Sequence, residues 1–267
     1  MSFFSVFVLV VGTLISVAWY LGDSPQFFER TVLGYNSFFS DQEEFEHTYD
    51  VSPTVSFSLK NINGSISIMG HNKDNIQILI TKRGKREDFD TVGTNIKAGY
   101  DSFSLETETS NKRHNADVVV VYQIMLPKNA HIKNVSTING SINISNIQAD
   151  MMVKNINGSI TIDGSHNSVQ AHTVNGKISF TPKKLDRNKV VTLETVNGSI
   201  ESYFSEDFSA HITAKTLVGT ISSDFKLKEY SKHFSGREAR GLIGPEEGGN
   251  INMTINNGTI YIHKSNE

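Results

Sequence analysis

No cysteine occurs in the 267 residues. That excludes a disulfide scaffold, a thiolate metal site and a thiol nucleophile. Charge of either sign is nearly balanced, at a formal −3, too little to argue for nucleic acid or an anionic membrane surface as partner. Catalytic and ligand signatures are missing as well. The nine histidines include no H-x-x-x-H spacing, and there is no G-x-S-x-G elbow and no G-G-x-G-x-D calcium repeat. The glycine-rich stretch 226–250 lacks the Lys-Ser/Thr ending of a phosphate loop. The sequence therefore offers no catalytic set, no metal site and no cofactor site.

What the chain has instead is a repeat. Ile156-Asn157-Gly158-Ser159-Ile160-Thr161-Ile162 recurs almost unchanged at Ile62–Ile68 and Ile138–Ile144. Substituted copies lie at Val174–Phe180 and Val196–Ile200, and worn ones at Leu217–Ile221 and Asn257–Ile262. The corner glycines are Gly64, Gly140, Gly158, Gly176, Gly198, Gly219 and Gly258. From Gly140 onward they are separated by 18, 18, 22, 21 and 39 residues. One coil of a β-solenoid takes about 20 residues, so each copy reads as one coil and the last step as a coil plus an inserted loop. Apolar residues recur seven, five and two places before each glycine and two and four after it. Steps of two mean extended strand with one buried face. The odd step between the fifth and second places predicts a bulge, if both are to face inward. Asn-Gly is also a hairpin signal, so a set of antiparallel hairpins is the rival arrangement; a fixed period favours coils.

The beginning of the chain is of another kind. Phe3 to Leu21 carries no charge, and nineteen helical residues span roughly 29 Å, close to a bilayer's hydrocarbon thickness. Ser16-Val17-Ala18 resembles a signal-peptidase site, whereas Trp19 and Tyr20 resemble the interfacial belt of a retained helix. The expectation for residues 1–22 is a transmembrane anchor or a cleaved signal, with a buried core helix as the bland alternative. Residues 23–48, mixing aromatics with acids, read as a juxtamembrane linker. Residues 49–264 form the repeat domain: less regular over 49–127, regular over 131–223, with an inserted loop or end cap at 226–250 and a final coil at 251–264. The fold class expected is all-β, a β-solenoid or β-helix-like repeat domain behind one N-terminal hydrophobic helix.

Several local features have a plain structural reading. The basic run Lys82-Arg83-Gly84-Lys85-Arg86 is followed by Glu87 and Asp88 and reads as a solvated loop more than an anion site. Asn63, Asn139, Asn157, Asn197 and Asn257 are formal glycosylation acceptors, but they coincide with the corners, so turn geometry is the better account. Thr137, Asn155, Thr173, Thr195 and Thr216, three before each glycine, suggest a hydrogen-bonding ladder. Stacked coils could bring His131 and His172 together. The acids Asp163, Glu194, Glu201 and Asp224 are scattered over different corners.

The Asn-Gly-Ser-Ile repeats, Val119-Val120-Val121-Tyr122-Gln123-Ile124-Met125-Leu126-Pro127 and Gly244-Pro245-Glu246-Glu247-Gly248-Gly249-Asn250-Ile251 together resemble the bacterial putative-adhesin family, over roughly residues 45 to 264. That family consists of envelope proteins with a β-solenoid domain of uncharacterised function, and it carries no catalytic residues to transfer. Val218 and Asn256 depart from its regularity. The resemblance implies a non-catalytic adhesive or scaffolding surface in the cell envelope. The domain would sit on the non-cytoplasmic side of a membrane, or be secreted or periplasmic if the N-terminal segment is cleaved. Its partners would be the membrane, through that segment, and an envelope protein or polysaccharide, with no nucleic acid. An envelope-stress sensor or regulatory partner domain is the alternative, and a polysaccharide-acting β-helix enzyme a further one.

Overall fold

The computed structural model describes residues 41–110, 118–231 and 236–265. The N-terminal hydrophobic segment and the start of the expected linker lie outside them. Among the described residues no helix is long and apolar enough to cross a membrane.

Among the described residues the architecture is all-β, with one 3-10 turn at Arg86–Thr91. The strands are β1 Asp41–Asp50, β2 Ser56–Lys60, β3 Ile66–His71, β4 Asn75–Gly84, β5 Val92–Ala98, β6 Ser102–Thr109 and β7 Val119–Pro127. They continue as β8 His131–Asn139, β9 Ile142–Ser145, β10 Met151–Asn157, β11 Ile160–Ser165, β12 Val169–Pro182, β13 Val190–Phe204 and β14 Ala210–Ser223. β15 Lys228–Ser231, β16 Arg237–Ile243 and β17 Gly249–Lys264 complete a single 17-stranded sheet. β1 begins inside the stretch read as linker. Its alternating Phe45, His47 and Tyr49 pair with Ile80, Ile78 and Ile76 of β4, so residues 41–48 belong to the folded domain.

The repeat copies pair in parallel, corner over corner. Asn157 aligns with Asn139 and Asn175, and Gly176 with Gly198. The segments flanking each Asn-Gly corner bond to other copies and not to each other, which rules out the hairpin arrangement. The inward line differs from the one expected. Met151, Val153 and Asn155 are buried, and so are Ile160 and Ile162, but Ile156 is 43 % exposed. Burial therefore alternates through the seventh, fifth and third places before the glycine, and the second place faces out. No bulge is needed there. A real one falls earlier, where Ile132 and Asn134 of β8 face the consecutive Phe57 and Ser58 of β2.

Turning the corner without breaking the stack requires glycine. At Gly158 the backbone φ is 141°, and a Cβ would sit 2.0 Å from the carbonyl oxygen of Gly140. L-residues avoid that φ, and no side chain fits between rungs at that approach. The corner carbonyl is then met by the polar residue three places before the next glycine. Asn155 Nδ2 donates to Gly140 O at 2.7 Å, Thr173 Oγ1 to Gly158 O at 3.2 Å and Thr195 Oγ1 to Gly176 O at 3.3 Å. These buried side chains bond the neighbouring rung's backbone and thereby satisfy those corner carbonyls.

The order of rungs is not the order of the chain. β17 lies between β13 and β14, with Gly258 aligned to both Gly198 and Gly219. The final copy is thus the penultimate rung. β14 is the last, and β16 covers its first half, Ala210–Thr216, in antiparallel pairing, with β15 outside β16. The inserted stretch acts as the end cap that an open rung calls for. At the other end, β5 covers β6, and β4 with β1 covers β7, all antiparallel. A continuous apolar core runs between the caps. It admits Tyr122, wholly buried, whose hydroxyl lies 2.7 Å from Thr107 Oγ1.

Candidate functional site

The corners generate an outward ridge built rung by rung. Asn139 Nδ2 donates to Asn63 Oδ1 at 2.8 Å, Asn157 to Asn139 at 2.9 Å, and Asn175, Asn197 and Asn257 each to the preceding ladder member at 3.0 Å. Every amide is held in one orientation by its neighbours, so the ladder is a fixed row of carbonyl and amide groups. The acceptor sites therefore resemble turn scaffolding more than glycan attachment points. The ladder stops at the last rung, where Val218 faces Asn257.

Beside it runs an apolar stripe made of the residues just before each Asn. Ile138 is 40 % exposed, Ile156 43 % and Leu217 58 %; Ile62, Val174 and Val196 are partly exposed in the same column. On the other side, Ser65, Ser141, Ser159, Ser199, Thr220 and Thr259 keep the ridge almost free of charge, Lys177 excepted. Seven rungs at about 4.8 Å give a strip roughly 29 Å long. Periodicity in the sequence pointed to these apolar residues but assigned them to the core; only the exposure pattern moves them to the surface.

The adjoining outward face changes character along the stack. Near one end it is small and polar: Ser67, Asn143, Thr161 and Ser179 occupy aligned positions. Near the other it turns aromatic and charged. Tyr203 stacks on His263 at 5.1 Å between ring centroids, and Tyr261 lies 5.8 Å from the same imidazole. Glu201 accepts from Tyr203 Oη at 3.1 Å and from Lys177 Nζ at 3.2 Å. Burial and the Glu201 carboxylate both push the Tyr203 phenol upward, so it stays a neutral donor. Asp224 lies 3.5 Å from His263 Nδ1. Glu201 and Asp224, read as scattered, thus flank one aromatic patch, while Asp163 sits two rungs away beside Thr181. Glu194 faces His172 at 3.6 Å.

No metal centre emerges. Among the described residues no three His, Asp or Glu groups converge on a cation position. His131 and His172 occupy different columns, His131 aligned with Ser56 and His172 with Lys154 and Glu194. The basic run 82–86 meets polar and acidic residues of β1: Arg83 pairs with Gln42 and Lys82 with Glu43 in the ladder, and Arg86 N–H donates to Asp41. A half-open depression between the loops at 183–187, 207–209 and 246–248 is lined by charges that pair locally, Lys184 with Asp186 at 3.0 Å and Arg187 with the Glu247 carbonyl at 3.2 Å.

No family model and no curated protein sequence matches the chain. Among solved structures, a putative cell adhesion protein from Clostridium sporogenes aligns over 84 % of this chain and 100 % of its own, at 14 % identity and a TM-score of 0.51. A putative lipid binding protein from Parabacteroides distasonis (11 % identity, 84 % and 97 % coverage, TM-score 0.30) aligns more loosely. So does a putative adhesin from Parabacteroides merdae (10 % identity, 84 % and 96 % coverage, TM-score 0.29); neither superposition carries an argument. At 14 % identity the first likeness shows a shared fold, and at that level the resemblance to the putative-adhesin family is borne out.

Proposed function

We propose that this chain is a non-catalytic β-solenoid of the bacterial cell envelope whose corner ridge serves as an adhesive or scaffolding surface for an extended partner. One observation carries the reading: a nearly uncharged strip in which an Asn ladder runs over six rungs beside an Ile/Val/Leu stripe interrupted at Asn256. Fixed amides offer paired donors and acceptors, and the stripe offers apolar area that burial by a partner would remove from water. A long flat repeat surface suits a long repeating ligand such as an envelope polysaccharide. The hydrophobic stretch at residues 3–21 would place the domain outside the cytoplasm, tethered or released.

The test presents the full-length protein, in detergent, to a panel of immobilised envelope polysaccharides. Binding without turnover is expected, weakened about tenfold or more by the pair Ile138→Lys and Ile156→Lys, which places charge on the ridge without touching the core. Turnover that disappears on replacing a single acid, Glu201 or Asp224, would overturn the reading in favour of an enzyme. Stoichiometric co-purification of another membrane protein, with no polysaccharide binding, would favour a regulatory partner domain.

A further inference from the structure

The two ends of the stack are unequally finished. At the β14 end, β16 covers only Ala210–Thr216. Residues 217–223 pair with β17 on one side and, among the described residues, with no strand on the other, although Gly236 lies against the backbone at Thr216 and Leu217. Leu217 and Val218 on this open stretch are 58 % and 61 % exposed. Around them the chain is basic: the described residues of 215–240 include five Lys or Arg against three Asp or Glu. Lys215 and Arg240 share a single partner carboxylate, that of Glu238.

At the opposite end the outermost strand of the second sheet half is β1. It pairs with β4 and, among the described residues, with no other strand. Its sequence, Asp-Gln-Glu-Glu-Phe-Glu-His-Thr-Tyr-Asp, holds five acids and no Lys or Arg. Glu44 and Glu46 lie on its exposed face, close enough that Glu44 adds to burial in holding the Glu46 carboxyl above its usual range. Phe45, 36 % exposed, sits between them.

An open strand edge is a template for another strand. Acids along β1 oppose its pairing with a second β1, because like charges would face each other. They do not oppose pairing with a basic edge. We propose that the chain associates head to tail with further copies of itself, the β1 edge of one copy adding to the 217–223 edge of the next. Phe45 would meet Leu217 and Val218, and Glu44 and Glu46 the surrounding Lys and Arg. The two surfaces differ, so the contact is heterologous and propagates into a chain or a ring instead of closing as a dimer. The edge is short, so the association is weak and concentration-dependent. This inference does not depend on the ridge or its ligand.

Sedimentation of the full-length protein in detergent at increasing concentration tests it. Species growing beyond the dimer are expected at low salt, with association at least about tenfold weaker near 1 M salt, where screening acts over roughly 3 Å. The variants Glu44→Lys/Glu46→Lys and Leu217→Ser/Val218→Ser, all at exposed positions, each lose self-association. Mixed together, they restore a single contact, because each keeps one intact end, and give a 1:1 pair that grows no further. A monomer at every concentration overturns the proposal. So does growth that neither variant affects, or a mixture that stays monomeric.

Discussion

At the residue scale the corner glycine carries the tightest constraint. Gly158 combines a positive φ with a Cβ position 2.0 Å from the Gly140 carbonyl, so Gly158→Ala must push two rungs apart. A loss of at least about 2 kcal/mol is expected in chemical denaturation. Gly93 has nothing within 4 Å of its Cβ position, and Gly93→Ala should stay within about 0.5 kcal/mol. Equal effects from the two would refute the stacking argument. His71 supplies a pH handle. Its Nδ1 accepts from Lys73 N–H at 3.3 Å and its Nε2–H donates to Asn75 O at 3.0 Å, a pair of bonds that only the neutral ring can make. Burial is the main reason its pKa lies below the ordinary value, with the Lys73 ammonium adding to it and the Asn75 carbonyl opposing. A depressed folded pKa means stability present above the unfolded value, about 6.5, and lost as pH falls through the folded one. His71→Gln should flatten the stability profile below about pH 6.5; an unchanged slope would remove His71 from the account. His166, shifted the same way by burial, supplies part of any remaining slope.

At the element scale the question is which residues each rung turns inward. Apolar type and period in the sequence place Ile156 and Ile160 on equal footing, both two places from Gly158. The structure separates them: Ile160 is fully buried and Ile156 is not. Ile160→Ala should cost about 2–5 kcal/mol, whereas Ile156→Ser should change unfolding by about 0.5 kcal/mol or less. Similar losses would restore the inward assignment. The polar column was legible for the opposite reason. A Thr or Asn repeated beside strong core residues has to satisfy something, and the corner carbonyls are what it satisfies. Its partner, an adjacent rung's backbone, could not be named from residues alone, because the sequence carries no mark of which atom the corner leaves unpaired.

At the scale of the whole molecule, stability follows nearest neighbours. Interior rungs are bonded on both sides and the terminal strands on one. Hydrogen exchange should therefore be slowest in β12, β13 and β17 and fastest in β1, β5 and β15. If β17 exchanged as fast as β15, its interior position would be wrong. The caps were partly legible: glycine-rich 226–250 was expected as an inserted loop or end cap, and β16 within it covers Ala210–Thr216 of β14. That β1 is the outer strand at the other end was hidden, since five acids in ten residues read as a linker when no partner strand is in view.

The sequence by itself determined the strand grammar: alternation fixes a buried face, Asn-Gly fixes a corner, and a period near 20 residues makes copies fit one above another. It did not determine their order. Because every rung presents nearly the same edge, the copy at Gly258 can pair with the rung at Gly198 as well as with that at Gly219, and it pairs with both. Only the tertiary structure decided that. The 39 residues between the last two corners are long enough to lay β16 over the outer edge of β14 and return β17 beneath it. Local chemistry sets the register of each rung, and the reach of the connections sets which rung lies next.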